Sequence, residues 1–191
     1  MDRRSSLKGL FVLATVGLSS FTCYKWFTIN SLPDRATILK KKNLIAELAE
    51  MIIPRTDTPG AKDAKVEDFI MDMLEFCTDA KTQNNFLKGL DDLEDYTMNN
   101  YGKTFVNCNH QQQVQIMEYF EQHAVYSINF INKVSNKLLG KHFFVKLKEL
   151  TVEGYCTSEA GATRGLAYDY IPSTYEACVP LTKNQRSWAT K

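Results

Sequence analysis

Between residues 43 and 154 apolar side chains recur at intervals of three and four, the spacing of helices with one buried face. Ile45, Leu48, Ala49 and Ile52 form the first such stripe, with Asn43 as its expected N-cap and Pro54 as its stop. Val66, Phe69, Ile70, Met73 and Leu74 form a second, with Asp63 as the expected cap. Phe86, Leu90, Leu93 and Thr97 mark a third. Asn109 followed three residues later by Gln112 has the form of a capping box. From there Met117, Phe120, Ala124, Ile128, Ile131 and Leu138 predict a long helix to Gly140. Phe143, Phe144, Leu147 and Leu150 carry the last stripe, with Gly154 as its expected C-cap. Strand-like alternation is absent. The pattern predicts an all-α fold of about five helices in a compact bundle.

The periodicity fails on both sides of this body. Residues 154–181 hold three of the nine glycines, four of the nine tyrosines and two of the five cysteines, with neither helical nor alternating spacing. Such a segment reads as a long irregular C-terminal arm laid against something else. That something is either the chain's own helices or a partner, since tyrosine is enriched where proteins meet. Four regions follow: 1–29 as an export signal or anchor, 30–42 as a linker, 43–153 as the helical domain, and 154–191 as the arm. The linker carries Pro33 and the Lys40-Lys41-Lys42 cluster. The loop Arg55-Thr56-Asp57-Thr58-Pro59-Gly60-Ala61 is rich in turn formers.

The first region has its own logic. Arg3 and Arg4 with Leu7 and Lys8 precede an uncharged run from Gly9 to Tyr24. A basic start followed by a short apolar stretch is an export signal, and paired arginines resemble the twin-arginine type. An N-terminal membrane anchor is the alternative. As a helix the run would span about 24 Å, somewhat short of a bilayer core of about 30 Å. No good small-x-small cleavage site follows it, and Cys23 sits after the bulky Phe21. Cleavage, lipidation at Cys23 and retention as an anchor all stay open. The twin-arginine route moves folded proteins, so its use implies that the chain or a partner acquires a cofactor before crossing.

Composition removes some functions. Across 191 residues, 23 Lys and Arg face 22 Asp and Glu, so no excess charge draws the chain to nucleic acid. The glycines form no phosphate-binding fingerprint; the closest pair, Gly161 and Gly165, follows no strand. His110, His123 and His142 lack metal-ligand spacing, and no Cys-x-x-Cys occurs. Asp91, Asp92, Glu94 and Asp95 read as a solvated helix face, and Asp57 as an Asx turn. Ser158 and Glu159 have no nucleophile elbow around them. No residue is expected to be catalytic or to bind a metal or cofactor. Among the cysteines, Cys77 is expected buried and inert. A Cys156–Cys178 bridge would pin the arm, while Cys178 pairing with a partner's cysteine is the alternative.

Three ordered blocks resemble a known family. The first runs from Leu48 to Ala61 and ends in Ile52-Ile53-Pro54-Arg55-Thr56-Asp57-Thr58-Pro59-Gly60-Ala61. The second contains Phe143, Phe144, Leu147, Lys148, Leu150, Thr151, Gly154, Tyr155, Thr157, Ser158, Glu159, Gly161 and Ala162. The third contains Tyr168, Pro172, Tyr175, Cys178, Val179 and Pro180. With Phe86, Gly89, Leu90, Gly102 and Phe105 the likeness covers about residues 43–181. The chain resembles the small subunit (subunit 3, or gamma) of gluconate 2-dehydrogenase-type complexes. Cys156 departs from the pattern, standing where the family usually has an aromatic residue.

The resemblance implies a subunit without a redox cofactor of its own, paired with a large FAD-dependent catalytic subunit of the glucose-methanol-choline type. That partner oxidises gluconate or other sugars and often passes electrons to a cytochrome c. The small subunit would support its maturation and lend it a twin-arginine signal into the periplasm. The expected contact surface is Tyr155, Thr157, Ser158, Glu159, Tyr168, Tyr170, Pro172, Tyr175, Cys178, Val179 and Pro180. The Thr56–Ala61 loop is either part of it or internal scaffolding. Two rivals are a stand-alone enzyme using Asp57, Glu159 or His142, and a membrane-tethered helical binding protein without a fixed redox partner.

Overall fold

The computed structural model describes residues 31–124, 141–171, 178, 180 and 183–189. The export or anchor segment, the expected continuation of the long helix through 125–140, and Pro172, Tyr175 and Val179 lie outside the described residues. Within them the regular elements are helices: α1 (Arg35–Lys40), α2 (Lys42–Ile52), α3 (Val66–Cys77), α4 (Ala80–Tyr101), a 3₁₀ turn (Phe105–Asn107), α5 (His110–His123), α6 (Phe143–Thr157) and a π-helical turn (Gly161–Gly165).

Helix α6 is the axis of the bundle. It packs against α2, α3, α4 and α5, and its inward residues Phe143, Phe144, Leu147, Leu150, Thr151 and Tyr155 are buried. Near its start Phe143 meets Phe86 edge-on at 6.4 Å and Phe120 at 5.5 Å, and Phe144 at 6.0 Å. Such aromatic edges each contribute about 0.5–1.5 kcal/mol beyond burial. Gly89 of α4 lets Phe143 in: a Cβ there would lie 2.2 Å from the ring. Thr97 and Thr151 are buried but not unsatisfied, because each hydroxyl donates back to the carbonyl four residues earlier at 2.7 Å.

Two contacts set the direction of the bundle. At the end of α6, Gly154 lies against Phe69 and Val66, the first turn of α3. At its start, Asn85 of α4 donates from Nδ2 to the Lys141 carbonyl at 2.7 Å. Since α3 and α4 are joined by a two-residue corner, α3 runs antiparallel to α6. The molecule therefore has two poles about 22 Å apart, the length of α6. One holds Ser31, the α3–α4 corner and the start of α6. The other holds the 54–61 loop, the end of α6 and the C-terminal arm.

The all-α expectation holds, and the Asn109–Gln112 capping box forms with both of its hydrogen bonds. Several local expectations do not. The linker is not all linker: Asp34 caps α1, and Ile38 docks in the core. Asn43 lies inside α2, whose first residue is Lys42. Asp63 does not cap α3; it accepts from the Gly60 amide at 3.1 Å, while the residue preceding α3, Lys65, takes a left-handed turn at φ 53°. Gly154 does not end α6, which runs on to Thr157. Its missing Cβ serves a helix crossing, because a Cβ would stand 2.6 Å from the Phe69 ring. Cys77 is exposed, being the last residue of α3 where the chain turns the corner.

Candidate partner interface

The 54–61 loop is held from beneath by one carboxylate. Glu50 of α2 accepts from the Arg55 amide with Oε1 and from the Lys62 amide with Oε2, both at 2.9 Å. Within the loop the Thr56 amide donates to the Thr58 carbonyl at 3.0 Å, and the Ala61 amide to the Ile53 carbonyl at 2.9 Å. A polar loop thus satisfies its own backbone and becomes a rigid cap.

Tyr155 reaches that cap from the end of α6. Its hydroxyl donates to the Pro59 carbonyl at 2.7 Å, across 96 residues of sequence. The residue is buried, 7% exposed, and two glycines make room for it, one at its ring and one at its backbone. A Cβ at Gly161 would lie 1.9 Å from the Tyr155 carbonyl oxygen, and one at Gly165 2.2 Å from the Tyr155 hydroxyl. Ser158 completes the joint by donating to the Tyr155 carbonyl at 2.7 Å and accepting from the Gly161 amide at 3.0 Å. The glycines of the arm therefore serve Tyr155 and leave no cradle for a phosphate. The Thr56–Ala61 loop is internal scaffolding on its Pro59–Ala61 side.

Beyond Leu166 the character changes. The Ala167 amide donates to the Ser187 carbonyl at 2.8 Å, and the Ala189 amide to the Ala167 carbonyl at 2.9 Å, a short parallel bridge. Arg186 clasps the same place. Its Nη1 donates to the Arg164 carbonyl at 2.7 Å, and its Nη2 stands 3.8 Å from Asp57 Oδ2. Held in this frame, Tyr168, Tyr170, Ile171 and Trp188 turn to solvent at 44%, 83%, 71% and 53% exposure. Four large apolar side chains on one short exposed stretch make a patch that soluble surfaces usually cover.

The expected contact residues therefore divide. Tyr155 belongs to the core and not to a surface, and Ser158 is a half-buried brace of the joint. Thr157 and Glu159 are exposed beside the joint, with the Thr157 hydroxyl donating to the Glu153 carbonyl at 2.7 Å. Tyr168, Tyr170, Cys178 and Pro180 are exposed as expected. Cys156 and Cys178 are free thiols, without the bridge that was one of two alternatives for them; Cys156 sits on α6 and packs partly against the core. Ile171, Trp188 and Arg186 were not anticipated. The last two lie past Leu181, where glycine and tyrosine thin out.

The groups weighed for catalysis do not converge. His142 caps the start of α6, its Nδ1 accepting from the Phe144 amide at 3.3 Å, while Glu159 lies beyond the far end of that helix. Burial pushes the His142 pKa below its usual value against the pull of Asp92. Asp57 is exposed and accepts from the Thr56 hydroxyl at 3.0 Å. The Asp91–Asp95 face lines an open groove with Lys41 and Asn107, in which Lys41 pairs with Asp91 and burial raises the pKa of Glu94. Among the described residues, no three His, Cys, Asp or Glu side chains are grouped to hold a metal ion.

The family model described as gluconate 2-dehydrogenase subunit 3 matches residues 40–172, from the end of α1 to just past Ile171. The chain belongs to that family. No curated protein and no solved structure matches it.

Proposed function

From this membership, we propose that the chain is the non-catalytic small subunit of a periplasmic FAD-dependent sugar dehydrogenase complex. The family places it in a multi-subunit dehydrogenase. The finer reading is ours: a glucose-methanol-choline-type flavoprotein partner, a cytochrome c downstream, and twin-arginine export of the assembled pair under the signal at Arg3 and Arg4. The observation that carries it is the strip of Tyr168, Tyr170, Ile171 and Trp188. The chain invests a backbone bridge and an arginine clasp in holding these side chains in water. Aromatic anchors on a rigid support are what a binding surface needs, and their value lies in what later covers them.

The test is the combined variant Tyr168→Ala, Tyr170→Ala and Trp188→Ala, co-expressed with the flavoprotein. Each anchor is expected to carry about 2 kcal/mol of binding, so the variant should lose the yellow partner on purification. Its helical body should melt as before. Undiminished co-purification at the same stoichiometry overturns the reading. Export is tested separately by Arg3→Lys with Arg4→Lys, which should leave both subunits and the dehydrogenase activity in the cytoplasm.

A further inference from the structure

The frame behind the exposed strip has a main-chain edge of its own. The Ser187 carbonyl accepts from the Ala167 amide, and the Ala189 amide donates to the Ala167 carbonyl. In an extended chain the N–H and C=O of one residue point to one side, and those of the next residue to the other. Trp188 stands between the two bonded residues, so its N–H and C=O point away from Ala167. The chain runs without turn or bend through residues 185–188, so the Arg186 main chain faces outward on the same side. Among the described residues, no backbone hydrogen bond reaches the N–H or C=O of Arg186 or Trp188. Both residues are exposed.

A row of unpaired main-chain groups is a template for one more strand. This one is held in place, because the Arg186 side chain is fastened to the Arg164 carbonyl. Charge decides what can add to it. Residues 183–189 hold Lys183 and Arg186 and no carboxylate. A second copy of the chain would bring two more cations and no acid to the pair, and like charges on neighbouring strands destabilise it. A segment bearing carboxylates is attracted instead.

We propose that the flavoprotein binds this edge by strand addition, laying an extended, carboxylate-bearing segment alongside residues 186–188. Carbonyls of that segment accept from the Arg186 and Trp188 amides, and its amides donate to their carbonyls. A β-branched or aromatic residue of the segment stands opposite the indole. The inference rests on the strip being the partner surface. It adds that the surface is read through the main chain, with Tyr168, Tyr170 and Ile171 setting selectivity beside it.

Hydrogen exchange in the assembled complex reads those groups directly. The Arg186 and Trp188 amides should exchange at least about tenfold more slowly than in the free chain. The Ser187 amide between them, which points toward Ala167, should change little. An added strand gives this alternation, and a contact through side chains alone does not. Equal protection of all three amides, or of none, overturns the proposal. So does alternating protection that appears in the free chain as its concentration rises, which gives the edge to a second copy. The donor itself is removed in a full chain carrying N-methylated Trp188, made by joining a synthetic 178–191 peptide at Cys178. The indole and the Ser187 carbonyl stay, and affinity for the flavoprotein should fall about tenfold. Parental affinity overturns strand addition. If the Tyr168→Ala, Tyr170→Ala and Trp188→Ala variant loses the flavoprotein while the exchange pattern does not alternate, the strip remains the partner surface and only the added strand is refuted.

Discussion

The inner and outer parts of the C-terminal segment both carry tyrosine and arginine and have opposite fates. Residues 154–165 hold Gly154, Gly161 and Gly165 with Tyr155 and Arg164, while residues 166–189 hold three tyrosines, Trp188 and Arg186 and no glycine. In the inner half the aromatic ring is surrounded: Gly165 leaves room for the end of the Tyr155 ring, Gly161 leaves room for its backbone carbonyl, and the Pro59 carbonyl accepts from its hydroxyl. In the outer half Tyr168, Tyr170 and Trp188 have a frame behind them and stand exposed. A tyrosine becomes core where neighbours give up their Cβ atoms and one polar partner meets its hydroxyl. Lacking those, it stays a surface anchor. The inner part is a joint closed on the chain itself, and the outer part is the surface we propose for a partner.

The most damaging way to test this division is Tyr155→Ala. It removes a buried ring and strands the Pro59 carbonyl, a change of about 3–5 kcal/mol for an aromatic truncation in a core. Domains of this size have about 5–15 kcal/mol in hand, so the body should melt at much lower temperature or fail to fold. A thermal shift no larger than that of Tyr170→Ala would show that the joint is not part of the core.

Tyr155→Phe separates the ring from its hydrogen bond. The slot stays filled, and only the donation to Pro59 is lost, at an expected cost of about 1–2 kcal/mol. Denaturant unfolding at unchanged slope would measure it. Because Pro59 belongs to the loop, hydrogen exchange at the Thr56 and Ala61 amides should quicken in this variant and not in Tyr170→Ala.

Much of the inner half was written in the sequence in a form that apolar counting cannot read. The stripe of α6 continues past Leu150 through Thr151, Gly154 and Tyr155 at the same three-and-four spacing, but Thr and Gly do not score as apolar. Thr151 counts as core because its hydroxyl bonds back to Leu147, and Gly154 because Phe69 crosses it. The second fact needs the neighbouring helix, and the first is a bond within α6 that a threonine on any helix face can make. Helix α1 was missed because six residues are too few to show a period, although Asp34 stood ready as its cap. The stripes of α2 to α4 and the capping box of α5 were legible, since local chemistry alone decides them. The Arg186 clasp was not, for it joins Asp57 and Arg164 through the fold.

The far end of α6 supplies a control with its own pH signature. His142 caps the helix through a neutral Nδ1, and burial holds its folded pKa below 6.5. The unfolded chain therefore takes up the proton first. Its contribution is fully present above about pH 6.5 and is lost as pH falls from there through the depressed folded value. His142→Asn keeps a capping side chain and removes the titration. Its melting temperature should vary less with pH below 6.5 than that of the parent, with partner binding unchanged. An identical pH profile would assign the acid sensitivity elsewhere.

The smallest effect asks what holds the outer half in place. Arg186→Ala removes an exposed ion pair at 3.8 Å, of a kind worth about 0–1 kcal/mol, together with one hydrogen bond to the Arg164 carbonyl. Global melting should barely move, because the core does not touch this residue. The backbone bridge should open more often, raising exchange at the Ala167 and Ala189 amides by about two- to fivefold, the equivalent of about 0.5–1 kcal/mol. Trp188 lies between those bonded residues, so affinity for the flavoprotein should fall with the bridge even though no contacting side chain has changed. If exchange rises while affinity stays constant, Trp188 is no anchor and the surface narrows to Tyr168, Tyr170 and Ile171. If neither changes, the bridge holds the strip by itself and the arginine is only its neighbour.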